Sequence, residues 1–127
     1  MRLLLDTQAL LWALDTPERL GKAHALIVDP ANEILFSAVS IWEIAIKFAL
    51  KRASFTHPPE AILAGAITTG FVELPLYSNV TARVAYLPSH HRDPFDRLLV
   101  AQAIDERTPF YTSDAQLEVY SELVRLI

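Results

Sequence analysis

The chain has no cysteine among its 127 residues. This excludes disulfide staples and thiolate metal sites and makes a reducing cytoplasm the default compartment. Glycine is nearly as scarce: Gly21, Gly65 and Gly70 stand far apart, so there is no glycine-rich loop to cradle a phosphate. No apolar run approaches the ~20 residues of a membrane span. The opening Met1–Leu5 segment is broken by Asp6, Thr7 and Gln8 too early for a signal-peptide core. A basic excess is missing as well, the formal net charge being -4. Phosphate neutralisation dominates nucleic-acid affinity, so any contact with nucleic acid has to be local or bridged by metal ions.

What is present is a high apolar fraction, 52%, enough to fill the core of one domain spanning residues 1–127 and leave some apolar surface for a partner. Short apolar runs alternate with longer amphipathic ones. Arg2–Asp6, Glu33–Ser37, Phe71–Leu74, Pro109–Thr112 and Leu123–Ile127 read as strands. Thr7–Leu14, Gly21–Asp29, Ser40–Arg52, a segment from Pro58-Pro59 to about Thr68, Asn79–Leu87, Asp93–Arg107 and Asp114–Tyr120 read as helices. Continuous apolar strands separated by helices predict an α/β fold, a three-layer α/β/α sandwich around a mostly parallel sheet of about five strands. Ligands of such sheets bind beyond the carboxyl ends of the strands.

Four acids fall at that edge. Asp6 ends the first strand, Asp114 follows a late one, and Glu43 and Asp96 lie in the first turns of helices. Each has an ordinary role too. Ser40 and Glu43 fit a capping box, Asp93 with Pro94 fits a helix start, and Asp6 and Asp114 can cap the helices that follow. Their convergence is harder to explain that way, because like charges ~4 Å apart repel by roughly 4 kcal/mol at an effective dielectric of ~20. Hard divalent cations remove that repulsion and prefer carboxylate oxygens. Such ions activate water and clamp the oxygens of a phosphodiester.

Leu5-Asp6-Thr7, Ser40-x-x-Glu43, His90-His91-Arg92-Asp93-Pro94-Phe95-Asp96-Arg97 and Thr112-Ser113-Asp114 resemble the PIN-domain family, and more narrowly the VapC-type toxins of toxin–antitoxin pairs. The Asp93-Pro94-Phe95-Asp96-Arg97 segment is the most specific part. The resemblance spans nearly the whole chain. It implies Mg²⁺- or Mn²⁺-dependent endoribonuclease activity, a homodimer, and inhibition by a cognate antitoxin protein. It makes Asp6, Glu43, Asp96 and Asp114 the metal-binding and catalytic quartet. Thr112 or Ser113 is the hydroxyl before the last acid, and Thr7, Ser40 and Asp93 are supporting, Asp93 as a helix cap.

Arg97 is expected either on a phosphate or in a salt bridge to a site carboxylate. Lys47 and Lys51 share a helical stripe with Glu43, and with Arg92 they are candidates to flank RNA, a solvated face being the alternative. His90 and His91 read as exposed loop residues. Trp12, Trp42 and Phe48 read as core or dimer face, with base-stacking platforms the lesser alternative for the two tryptophans. Two other α/β classes place a reactive aspartate site at the strand ends. A receiver-like phosphoacceptor domain needs an adjacent acid pair and a late lysine, and a haloacid-dehalogenase-like phosphatase needs a second aspartate where Gln8 stands.

Overall fold

The computed structural model describes residues 1–127. Its five strands are β1 (Arg2–Leu5), β2 (Glu33–Ser37), β3 (Val72–Leu74), β4 (Phe110–Thr112) and β5 (Val124–Leu126). They form one wholly parallel sheet in the order β3-β2-β1-β4-β5. Strand alternation divides the core in two. Leu3, Leu5, Ile34 and Phe36 face one layer, and Leu4, Leu35, Phe110 and Val124 face the other. This is why the strands are apolar without a break: both faces are covered. None of the helices is long and apolar enough to cross a membrane.

The first layer holds α1 (Thr7–Asp15), α2 (Ala23–Val28) and α4 (Pro59–Thr69). The second is dominated by α6 (Pro94–Glu106), beside α5 (Ser78–Arg83). Short 3₁₀ turns at Pro17–Leu20, Val84–Tyr86 and Ala115–Tyr120 complete the chain. Gly70, at φ 96, closes α4 in the left-handed conformation that a side chain disfavours.

The helix α3 (Ala38–Ala49) departs from the sequence reading. It begins without a loop after β2, and its N-cap is Ser37, whose Oγ accepts from the Val39 amide, not Ser40. Ser37 also donates to Gln102 Oε1 on α6, so a residue with two buried partners wins the cap. The helix therefore starts earlier, and Glu43 moves from the first turn to the second. It caps nothing. The helix also stops earlier: Lys51 sits beyond it at φ 56, off the stripe that carries Glu43 and Lys47.

The sheet order has one switch point, between β1 and β4. Connections leave β1 toward β2 and β3 on one side, and the chain later returns to the other side. Crevices outside the strand ends form at such points. Replacing Ser37 with Ala removes the cap and strands the buried Gln102 carbonyl. Urea unfolding should show a loss of about 2–3 kcal/mol. A loss below ~0.5 kcal/mol, the range of an ordinary surface change, would contradict this account of the junction.

Candidate active site

Asp6, the first residue after β1, caps α1: its Oδ1 accepts from the Ala9 amide at 2.6 Å. Its Oδ2 accepts from the Thr112 hydroxyl at 2.6 Å. Thr112 ends β4, and the same hydroxyl oxygen accepts from the Asp114 amide at 3.0 Å. One buried threonine thus ties the first acid to the last across the switch point. Ser113 contributes its backbone N–H, 3.4 Å from Asp6 Oδ2, so of the two candidate hydroxyls Thr112 makes the bridge.

Glu43 is held by a second hydroxyl relay. Thr7 Oγ1 lies 2.6 Å from Glu43 Oε1 and 2.9 Å from Ser40 Oγ. A carboxylate only accepts and Thr7 has one proton, so Thr7 donates to Glu43 and Ser40 donates to Thr7. Ser40 is fully buried. The other oxygen, Oε2, pairs with Lys47 one turn on. Lys47 Nζ also lies 5.1 Å from the Phe55 ring centroid and 5.9 Å from that of Phe95. It is therefore fixed within the site and is not part of a solvated face.

On α6, Asp93 is the N-cap, accepting from the Phe95 and Asp96 amides, and Asp96 follows in the first turn. Asp114 caps the final 3₁₀ turn through Oδ1, leaving Oδ2 toward the site. His91 meets that oxygen: its Nε2 is 2.9 Å from Asp114 Oδ2 and 3.8 Å from Asp96 Oδ2. Its Nδ1 accepts from the Asp93 amide at 3.0 Å, which assigns the ring proton to Nε2 and makes it a donor to Asp114. His91, Asp96 and Asp114 bring ligand atoms within 4.8 Å of one another. The exposed-loop reading holds for His90, which stacks edge-on against Tyr120, but not for His91. Two adjacent histidines look alike in a sequence; the backbone hydrogen bond at Asp93 decides which turns inward.

Arg97 is neither on a site acid nor facing the cleft. Its guanidinium donates to the carbonyls of Val84, Leu87 and Pro88 and to the Tyr120 hydroxyl. One residue after Asp96 means about 100° around the helix, which turns it away. There it anchors the segment leading to His91, whose amide donates to the same Tyr120 oxygen. Lys51 and Arg92 are exposed and do not line the acid cleft.

That cleft, about 250 Å³, is lined by Asp6, Glu43, Asp93, Asp96 and Asp114 with Lys47 as its one base. With all six ionised its formal charge is -4, the net charge of the whole chain. The crowding has a cost. Burial pushes the Asp6 carboxyl from 3.8 up to about 6, with Glu43 adding to the rise. Burial, then the charges of Asp93, Glu43 and Asp6, push Asp96 up to about 7.

The PIN domain model matches residues 3–123. The chain belongs to the PIN-domain family. Ribonuclease VapC22 of Mycobacterium tuberculosis is 29% identical over 115 residues, covering 90% of this chain and 88% of the relative. The crystal structure of VapBC2 from Rickettsia felis, bound to a DNA fragment from their promoter, superposes with a TM-score of 0.68 at 15% identity. That match covers 100% of this chain and 98% of the other.

The carboxylates suit a hard dication: they are oxygen donors, they are clustered, and burial holds two of them, Asp6 and Asp96, above the usual carboxylate range. The sign of the pH dependence follows. Acids whose folded pKa is raised contribute stability that is complete below about 3.8 and is lost as pH rises through about 6 and 7. In EDTA the melting temperature should fall between pH 4 and pH 8. Added Mg²⁺ should raise it by more at pH 8 than at pH 5. Equal Mg²⁺ stabilisation at both would show that these carboxyls do not hold the ion.

Proposed function

We propose that the chain is a Mg²⁺- or Mn²⁺-dependent endoribonuclease, the VapC-type toxin of a type II toxin–antitoxin pair, with residues 1–127 acting as one nuclease domain. The observation that carries this reading is the convergence of Asp6, Glu43, Asp96 and Asp114 in one cleft at the switch point of the sheet. Glu43 is the most telling member, since it is buried and caps no helix, its charge met by Lys47 alone. RNA as the substrate, and a cognate antitoxin as inhibitor, rest on the family resemblance and on the ribonuclease named among the relatives.

Asp6, Glu43, Asp96 and Asp114 would hold the ion, with Asp93 within the same cleft. A bound dication supplies activation of water and neutralisation of charge on the phosphoryl oxygens. The protein's own part is positioning. Thr112 aligns Asp6, Thr7 and Ser40 align Glu43, and His91 aligns Asp114. Lys47, beside Glu43, is placed to meet a phosphate; Lys51 and Arg92, set outside the cleft, are at most distant contacts for the strand. An aspartyl-phosphate mechanism fits less well, because Asp6 is followed by Thr7 and Gln8, where such sites need a further acid.

Purified protein should cleave single-stranded RNA with Mg²⁺ and stop on addition of EDTA. Asp6→Asn keeps the α1 cap, and Asp96→Asn keeps the helix start. Each should lower the rate by more than the roughly 10–100-fold that follows loss of a ligand's supporting partner. Wild-type rates in both variants would overturn the assignment.

The homodimer belongs to the same proposal. Trp42 and Phe48 on α3 are exposed apolar side chains, a natural core for a face between two copies. Light scattering at micromolar concentration should give the mass of a dimer. Trp42→Glu with Phe48→Glu should give that of a monomer, and a wild-type monomer would refute the proposal.

A further inference from the structure

A second cleft opens beside the acid one. It measures about 560 Å³ and shares Gln8, Ser54 and Ser113 with its neighbour. Its remaining wall comprises Leu11, Trp12, Asp15, Thr16, Arg19, Thr56 and His57. Trp12 is half-buried, its apolar side packed on the core of the first layer. The Arg19 guanidinium lies over its ring, 5.9 Å from the centroid. Asp15, the one acid here, is 3.5 Å from His57 Nε2.

We propose that this cleft is a nucleotide subsite, in which Trp12 and Arg19 receive the RNA nucleotide next to the one whose phosphate lies over the acids. The inference rests on the nuclease reading and deepens it.

Three observations support it. The first is continuity: the shared Gln8, Ser54 and Ser113 form the threshold between the clefts, so a strand across the acid site passes directly into the second cleft. The second is chemistry. A guanidinium layered over an indole is a pairing that single-stranded nucleic acids use, the base stacking on the outer guanidinium plane and the cation meeting a phosphate. Gln8 and the hydroxyls of Thr16, Ser54 and Thr56 can address base edges and the ribose. The third is charge. The acid cleft has five carboxylates against one lysine. The second cleft balances its one carboxylate, Asp15, with Arg19. A polyanion held over the acids by cations finds in the second cleft a wall that does not repel it. A basic peptide segment would be drawn to the acids and gain nothing from Arg19.

The test uses the full-length protein. In an Asp6→Asn, Trp42→Phe background, Trp12 is the one remaining tryptophan of the two, and its fluorescence is followed while short single-stranded RNA is added in Mg²⁺. The signal should saturate, and Arg19→Glu should weaken binding roughly ten-fold. In the otherwise native enzyme, Arg19→Glu should raise KM roughly ten-fold and leave kcat within about three-fold, because a remote subsite adds binding without touching the chemistry. Trp12→Ala should act the same way; should that variant not fold, Arg19→Glu stands by itself, since residue 19 is exposed. If native enzyme cleaves RNA but Trp12 fluorescence and both KM values stay unchanged, the subsite is wrong and the nuclease reading stands. If native enzyme neither cleaves nor binds RNA, the nuclease reading and the subsite fall together. A fluorescence response to a partner peptide but not to RNA would also overturn the subsite.

Discussion

Repulsion among carboxylates at one sheet edge is the constraint around which this molecule is arranged. Five acids line one small cleft with a single lysine among them, and their formal charge equals that of the whole chain. The rest of the protein is therefore balanced. An acidic pI of about 5.5 is not evidence of a surface hostile to nucleic acid; it is the signature of one cleft. Burial first and the neighbouring carboxylates second push Asp6 up to about 6 and Asp96 up to about 7, a penalty that a dication would relieve.

Holding such a cluster together needs more than a fold that delivers it, and the support comes from hydroxyls. Thr112 joins Asp6 to the backbone of Asp114, and Ser40 orients Thr7, which orients Glu43. A hydroxyl both donates and accepts, so it can steady a carboxylate without adding charge, where an arginine would neutralise the site and compete with the ion. His91 follows the same logic at Asp114, with its ring set by the Asp93 amide and its loop pinned by Arg97 and Tyr120. Arg97, although beside a site acid in sequence, works entirely by holding that loop.

The charge pattern gives the surface a direction. The strongly acidic cleft adjoins one with an arginine, a histidine, a tryptophan and several neutral polar groups. On the proposed nuclease reading, chemistry and strand recognition would be separated, with the acids at the scissile phosphodiester and stacking and hydrogen bonding one step along.

Much of this was legible in the sequence for simple reasons. Unbroken apolar runs such as Leu3-Leu4-Leu5 and Ile34-Leu35-Phe36 are too short for helices and read as strands buried on both faces, which with the helices between them gives the parallel α/β fold. The four acids stood out because Asp6, Asp96 and Asp114 sit at a strand end or helix start, and with Glu43 they form a pattern resembling a known family. The tertiary structure decided what depends on direction and partners across the chain. Ser37 displaced Ser40 as a cap because Gln102, 65 residues away, offers it a second bond. His91 turned inward while His90 did not. Arg97 turned outward by one helical step, and Lys51 left its stripe because α3 ends before it. Such choices are set by contacts between residues far apart in the chain, which local periodicity does not encode. Sequence therefore determined which carboxylates reach the edge of the sheet, and the fold determined which hydroxyls, which histidine and which lysine hold them there.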